Sequence, residues 1–154
     1  MNEKNQGFFQ GKGGRDDRKQ SHPPGDSRKS NPGPEKIVFR DEQKHLRREL
    51  LVDDAKKWAN EQIAYQKVSY TQLRKFYSEA LTLKSKVKEK GFKEMEALIG
   101  MMISKAHYAM IRDKNNQGLY HFINSCITSV HSEQDYNDFV LFFEAVLGFY
   151  PRKN

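Results

Sequence analysis

The chain has 154 residues, enough for one ordinary domain, and its net charge of +7 favours polyanionic partners. Its single cysteine, Cys126, excludes an internal disulfide and suits a reducing, cytoplasmic setting. No run of apolar residues approaches 18, and the start of the chain lacks an apolar leader, so neither a membrane span nor Sec export is expected.

Residues 1–36 read as a disordered tail, and residues 37–154 as a helical bundle domain. Four of the five prolines and six of the ten glycines lie in the first 34 residues, with Phe8 and Phe9 the main apolar content. So little apolar surface does not offset the entropy of ordering. The tail is either a solvated segment or an arm that orders on RNA or a partner through Arg15, Arg18, Lys19, Arg28 and Lys29. Residues 35–150 contain no proline, which suits uninterrupted helices.

Five helices follow in order. The first spans about Asp41 to Tyr65, with Leu46, Leu50, Leu51, Ala55, Trp58, Ala59 and Ile63 recurring at helical intervals. Trp58 reads as a packing anchor in preference to a base-stacking platform. The second opens on a capping box at Ser69-Tyr70-Thr71-Gln72, with Val68 and Leu73 placed as a hydrophobic staple. Its stripe is Leu73, Phe76, Ala80, Leu83 and Val87, and Gly91 ends it. The third runs from about Lys93 to Asp113, with Met95, Leu98, Met102, Ala106 and Ala109 inward. Asn115 to Gly118 reads as a turn. The fourth, from about Leu119 to Val130, packs Leu119, Phe122, Ile123, Cys126, Ile127 and Val130. The fifth, from about Glu133 to Phe149, is apolar nearly all round, so it is either the centre of the bundle or half core and half interface. The fold class is all-α: a compact bundle of about five helices after a disordered tail.

No catalytic constellation is apparent. His121, Cys126 and His131 are spaced by five residues, about 140° of rotation at each step, and cannot share one helix face. No metal or cofactor is expected. The pairs Asp16/Asp17, Asp53/Asp54 and Asp135/Asp138 sit in polar surroundings that do not tune a pKa. A phosphate loop and a nucleophile elbow are both missing.

Binding features are clearer. Lys84, Lys86, Lys88, Lys90 and Lys93 cluster at the end of the second helix, where cations also favour the helix dipole. Lys105, Tyr108 and Arg112 stand at i, i+3 and i+7 on the third helix: two cations flanking an aromatic, suited to holding an RNA backbone or simply to a solvated face. Arg74 and Lys75 gain nothing from the dipole at the start of the second helix, so they need another reason. A DNA-binding regulator is disfavoured because no helix-turn-helix turn is visible.

Three segments resemble the small helical subunit of type III-A CRISPR effector complexes, the Csm family. Tyr70-Thr71-Gln72-Leu73-Arg74-Lys75-Phe76-Tyr77 is similar to its T-x-Q-[LI]-R-K-[FI] opening. Lys105-Ala106-His107-Tyr108-Ala109-Met110-Ile111-Arg112 resembles its K-L-A-Y-A-x-G-R helix. Asp138-Phe139-Val140-Leu141-Phe142-Phe143-Glu144-Ala145-Val146 resembles its closing F-x-x-F-F-E-A-[IV]-[VL] run. The likeness spans about residues 68 to 150. It implies a non-catalytic subunit present in several copies along the complex, facing the duplex of guide RNA and target RNA. Catalysis would belong to other subunits, and the partners would be the backbone and large subunits of the effector together with copies of the chain itself. By the motif match, Arg74, Lys75, Lys105, Tyr108 and Arg112 become RNA-facing candidates, with Lys84 and Lys88 added from the lysine cluster. His107 and Ile111 depart from the pattern, standing where the family often has alanine and glycine. The alternative is a helical protein–protein scaffold without direct RNA contact, motivated by the aromatic excess of the fifth helix.

Overall fold

The computed structural model describes residues 33–152. The tail expected over residues 1–36 therefore lies outside the described residues as far as Pro32. From Gly33 the backbone runs extended, and alternate side chains turn inward, so Ile37 and Phe39 are buried while Val38 is exposed. Ser125 of the fourth helix and Ser129 at its C-terminal cap hold this segment. Ser125 Oγ accepts from Glu35 N at 3.0 Å, and Ser129 Oγ accepts from Ile37 N at 2.9 Å.

The first helix starts later than its apolar spacing suggests. Residues 41–47 form a tight turn closed by an antiparallel bridge between Arg40 and Leu46. Asp41 Oδ1 accepts from His45 N at 2.8 Å, and Lys44 has φ 65°. A carboxylate that binds the local backbone, next to a left-handed lysine, outcompetes the helix here. The turn is anchored from afar: Arg40 donates through Nε and Nη2 to Asp138 at 2.7 and 3.0 Å. Asp138 is thus a buried ion-pair partner, not the exposed carboxylate its polar neighbours suggest.

Helix α1 (residues 50–64) is unusually wide. Two π-helical stretches, Leu50–Asp54 and Trp58–Ala64, flank one α-helical turn, Ala55–Lys57. Its buried residues are Leu50, Ala55, Trp58, Ala59 and Ile63, and the larger number of residues per π-helical turn keeps the steps of five and four between Leu50, Ala55, Ala59 and Ile63 on one face. Helix α2 (Tyr70–Lys90) begins where Ser69 Oγ accepts from Gln72 N at 3.1 Å, and ends at Gly91 with φ 93°. Its inward stripe is the expected one, and Val68 and Leu73 are both buried beside the cap.

Helix α3 (Phe92–Arg112) folds straight back from Gly91. Its inward residues are Phe92, Met95, Ile99, Met102 and Ala106. Leu98, expected inside, stands 45 % exposed, because the stripe set by Met95 and Met102 passes through Ile99, about 100° away around the helix. A short 3-10 turn (Lys114–Asn116) leads into α4 (Gln117–Thr128), so Gln117 and Gly118 belong to the helix rather than to a turn. Gly118 is required there, because a Cβ at this position would meet Gln62 O of α1 at 2.2 Å.

Helix α5 (Glu133–Phe149) is capped by Ser132 Oγ, which accepts from Asp135 N at 3.1 Å, and it contacts α1, α2 and α4. Tyr136, Phe139, Val140, Phe142, Phe143 and Val146 are all buried, and so are Phe122 and Trp58 across from them. Phe122 meets Phe142 and Phe143 with ring centroids at 5.4 and 5.1 Å, and Trp58 edges onto it at 5.5 Å. The apolar richness of α5 is therefore the centre of the bundle. The result is an all-α bundle with no strand among the described residues.

Candidate nucleic-acid interface

Helices α2 and α3 lie side by side as a hairpin, and their flanks leave a groove of about 690 Å³. Gln72, Lys75 and Glu79 come from α2 at i, i+3 and i+7; Lys105, Tyr108 and Arg112 come from α3 at the same spacing. That spacing keeps each trio on one helix edge, so two edges become two walls. Phe76 and Ala109 also line it, and Asp113 and Asn116 close one end. Asn116 is buried, with Nδ2 donating to Ala109 O at 3.2 Å, which fixes that end.

Across the groove, Lys105 Nζ donates to a Glu79 carboxylate oxygen. Tyr108 is 63 % exposed, and the Arg112 guanidinium sits 5.8 Å from its ring centroid. The groove continues past the Lys105–Glu79 pair into a smaller hollow of about 240 Å³ lined by Thr82, Leu83, Lys86, Leu98 and Met101. One half is thus cationic and aromatic, the other largely apolar.

Of the seven residues singled out in the sequence, Lys75, Lys105, Tyr108 and Arg112 come together in this groove. Lys84 and Lys88 do not. Lys84 is nine residues from Lys75, which turns it roughly 180° to the opposite edge of α2. That edge carries Tyr77, whose ring stacks on Phe143 of α5 at 5.4 Å and 6°. Arg74 is exposed and lines neither hollow, so the lysine-rich end of α2 wraps the helix instead of lining one surface. Lys86, on the groove edge, is the member of that cluster the structure places beside Lys105. Glu79 belongs to the groove without being a sequence candidate. Its step of four from Lys75 is readable in the sequence, but its pairing with a lysine 26 residues away is not.

The groups in the groove are ammonium, guanidinium, amide and phenol donors with two carboxylates, Glu79 and Asp113, among them, so cations outnumber anions by three to two. Among the described residues no three His, Cys, Asp or Glu side chains are placed to share a metal ion. None of the helices described is long and apolar enough to cross a membrane.

Five helices joined by short loops, with such a groove along two of them, define the described residues as a small all-α bundle. The profile of the Csm2 type III-A family matches residues 45–153, most of the chain, and the chain belongs to that family, the small subunits of the type III-A CRISPR complex. No curated protein and no solved structure matches it. The match takes in α1, which the three sequence segments left out, and leaves the extended segment before His45 outside.

Proposed function

We propose that this protein is a non-catalytic, RNA-contacting subunit of the cytoplasmic type III-A ribonucleoprotein, and that the α2–α3 groove holds the backbone of the guide RNA–target RNA duplex. The observation that carries the reading is the convergence of Lys75, Lys105, Tyr108 and Arg112 from two helices onto one groove. Amines and a guanidinium bind phosphates without reading bases, so contact is sequence-indifferent, and Tyr108 supplies a flat face for a sugar or a base. Membership of the family supports partners among the other effector subunits.

The balance of charge in the groove bears on strength. Glu79 and Asp113 offset part of the charge of Lys75, Lys105 and Arg112. Isolated protein therefore binds RNA weakly, and the rest of the complex supplies the remaining affinity. The test compares Lys105→Ala/Arg112→Ala with Lys84→Ala/Lys88→Ala in RNA binding at several salt concentrations. The groove pair should lower both affinity and salt slope, by roughly 0.7–0.9 in slope for each phosphate no longer neutralised, with the opposite edge much less affected. Equal losses from both pairs, or none from the groove pair, would put the RNA surface elsewhere.

A further inference from the structure

Arg74, Lys84 and Lys88 stay outside the α2–α3 groove, and none of them pairs with a carboxylate among the described residues. They share one edge of α2 with Tyr70, Tyr77 and Leu81, at steps of four, three, four, three and four. On α5, Asn137, Leu141, Glu144 and Gly148 follow steps of four, three and four. Every one of these positions is exposed or half-buried. The two stripes belong to helices that run antiparallel in contact. Tyr70 meets Tyr150 at 5.6 Å, the Tyr77 ring stacks on Phe143 at 5.4 Å, and the Tyr136 hydroxyl donates to Ala80 O at 2.6 Å. Glu144 is close enough to Tyr77 to add to the rise that burial gives its phenol. The middle of this face is apolar, with Tyr77 half-buried, Leu81 40 % exposed and Leu141 41 % exposed. A Cβ at Gly148 would meet nothing within 4 Å, so the α5 backbone is open to close approach there. Cations mark both ends: Lys84 and Lys88 at one, Arg74 and Arg152 at the other, with the Arg152 guanidinium 4.5 Å from the Tyr70 ring centroid.

Two neighbouring stripes with three- and four-residue steps are the footing on which a third helix packs. We infer that this α2–α5 face receives an amphipathic helix of a different protein, its apolar stripe set on Tyr77, Leu81 and Leu141 and carboxylates flanking that stripe. Charge selects the partner. Arg74, Lys84, Lys88 and Arg152 stand against Glu144, the single carboxylate of the two stripes. A second copy laid here through its own α2–α5 face would set those cations against one another, so like faces repel. RNA fits worse as well, because the leucines offer a phosphate no donor and Glu144 repels it. Lys75, Glu79 and Lys86 lie on the far edge of α2, so the partner leaves the groove open and the inference stands apart from the RNA reading. It also accounts for Arg74, which stands near the helix start, where the dipole disfavours a cation.

Fluorescence anisotropy with the full chain tests it, using a synthetic helix that carries leucine at a and d positions and glutamate at e and g. The same peptide with lysine in place of glutamate is the control. The glutamate peptide should bind roughly tenfold tighter than the lysine peptide, and added salt should narrow the difference. Lys84→Glu/Lys88→Glu should weaken its binding roughly tenfold, since two exposed attractions turn to repulsion at once. Leu81→Glu and Leu141→Glu should each abolish peptide binding while leaving RNA binding as in the wild type, and circular dichroism confirms the fold of each variant. In the assembled type III-A complex, carbodiimide should couple Lys84 or Lys88 directly to carboxylates of a helix in another subunit. Equal binding of both peptides, binding of neither, or binding indifferent to both leucine variants overturns the proposal. So does coupling of Lys84 and Lys88 only to another copy of this chain, or a loss of RNA binding in the leucine variants, which would make this face a self-contact or a nucleic-acid surface instead.

Discussion

Replacing three glycines by alanine, one at a time, separates helix propensity from packing within one molecule. An alanine Cβ meets nothing within 4 Å at Gly100 in α3 or at Gly148 in α5. At Gly118 it would lie 2.2 Å from Gln62 O and 2.9 Å from Gln62 C, where real contacts do not fall below 3.0 Å. The obstacle is backbone and cannot swing aside, so α1 and α4 must part by about 0.8 Å. Glycine within a helix costs about 0.5–1 kcal/mol relative to alanine, so Gly100→Ala stabilises by about that much. At Gly118 the same gain meets an overpacking cost of about 3 kcal/mol, the upper end for a site that cannot relax, leaving a net loss of about 2 kcal/mol. For a domain of this size that corresponds to a melting point lower by about 5–10 °C for Gly118→Ala and higher by a few degrees for Gly100→Ala. Thermal denaturation followed by circular dichroism on dilute protein reads both. If Gly118→Ala melts at or above the wild type, α1 and α4 are not in backbone contact at this point, and close packing is not why a glycine stands there.

Glu79→Gln removes the carboxylate that competes with RNA for Lys105, so RNA should bind more tightly; an unchanged affinity would mean that Lys105 does not hold RNA. The Tyr136 hydroxyl donates to Ala80 O at 2.6 Å, and burial, with Glu79 nearby, pushes the phenol well above its ordinary 10.0. The unfolded chain then loses that proton near pH 10 while the folded chain keeps it, so this contribution to stability is complete below pH 10 and declines above it. Tyr136→Phe should cost about 0.5–1.5 kcal/mol at neutral pH and flatten the alkaline decline seen in urea titrations at a series of pH values; an equally steep decline would refute the assignment. Ser69→Ala removes the bond to Gln72 N and should lower stability by about 1 kcal/mol, measured by urea denaturation, whereas no loss would mean α2 starts without its cap.

What was legible in the sequence was local. The limits of α2 follow from Ser69 and Gly91, and the inward stripes of α2 and α4 from spacing alone. Most of the differences turn on distant residues. Residues 41–47 hold a single apolar residue, Leu46, and the turn that Asp41 closes locally is tied through Arg40 to Asp138, 98 residues on. Leu98 and Ile99 are adjacent apolar residues, and only the neighbours of α3 decide which points inward. Gly118 reads as turn chemistry because the backbone it accommodates belongs to Gln62. The groove is half readable for the same reason. Its α3 wall is a local i, i+3, i+7 pattern, whereas its α2 wall depends on which edge of α2 meets α3, and that choice includes Lys75 and Lys86 and turns Lys84 away.

The two departures from the family pattern on α3 have different physical accounts. His107, where alanine is common, sets its ring edgewise against Tyr120 of α4 at 5.3 Å, so it serves the α3–α4 contact. Ile111, where glycine is common, is 66 % exposed, so its burial within the chain accounts for little of its presence. On the RNA reading proposed above, a glycine there would let an RNA backbone come close to the helix, and an isoleucine removes that approach. Contact with RNA would then depend more on Lys75, Lys105 and Arg112, the side chains the groove brings together.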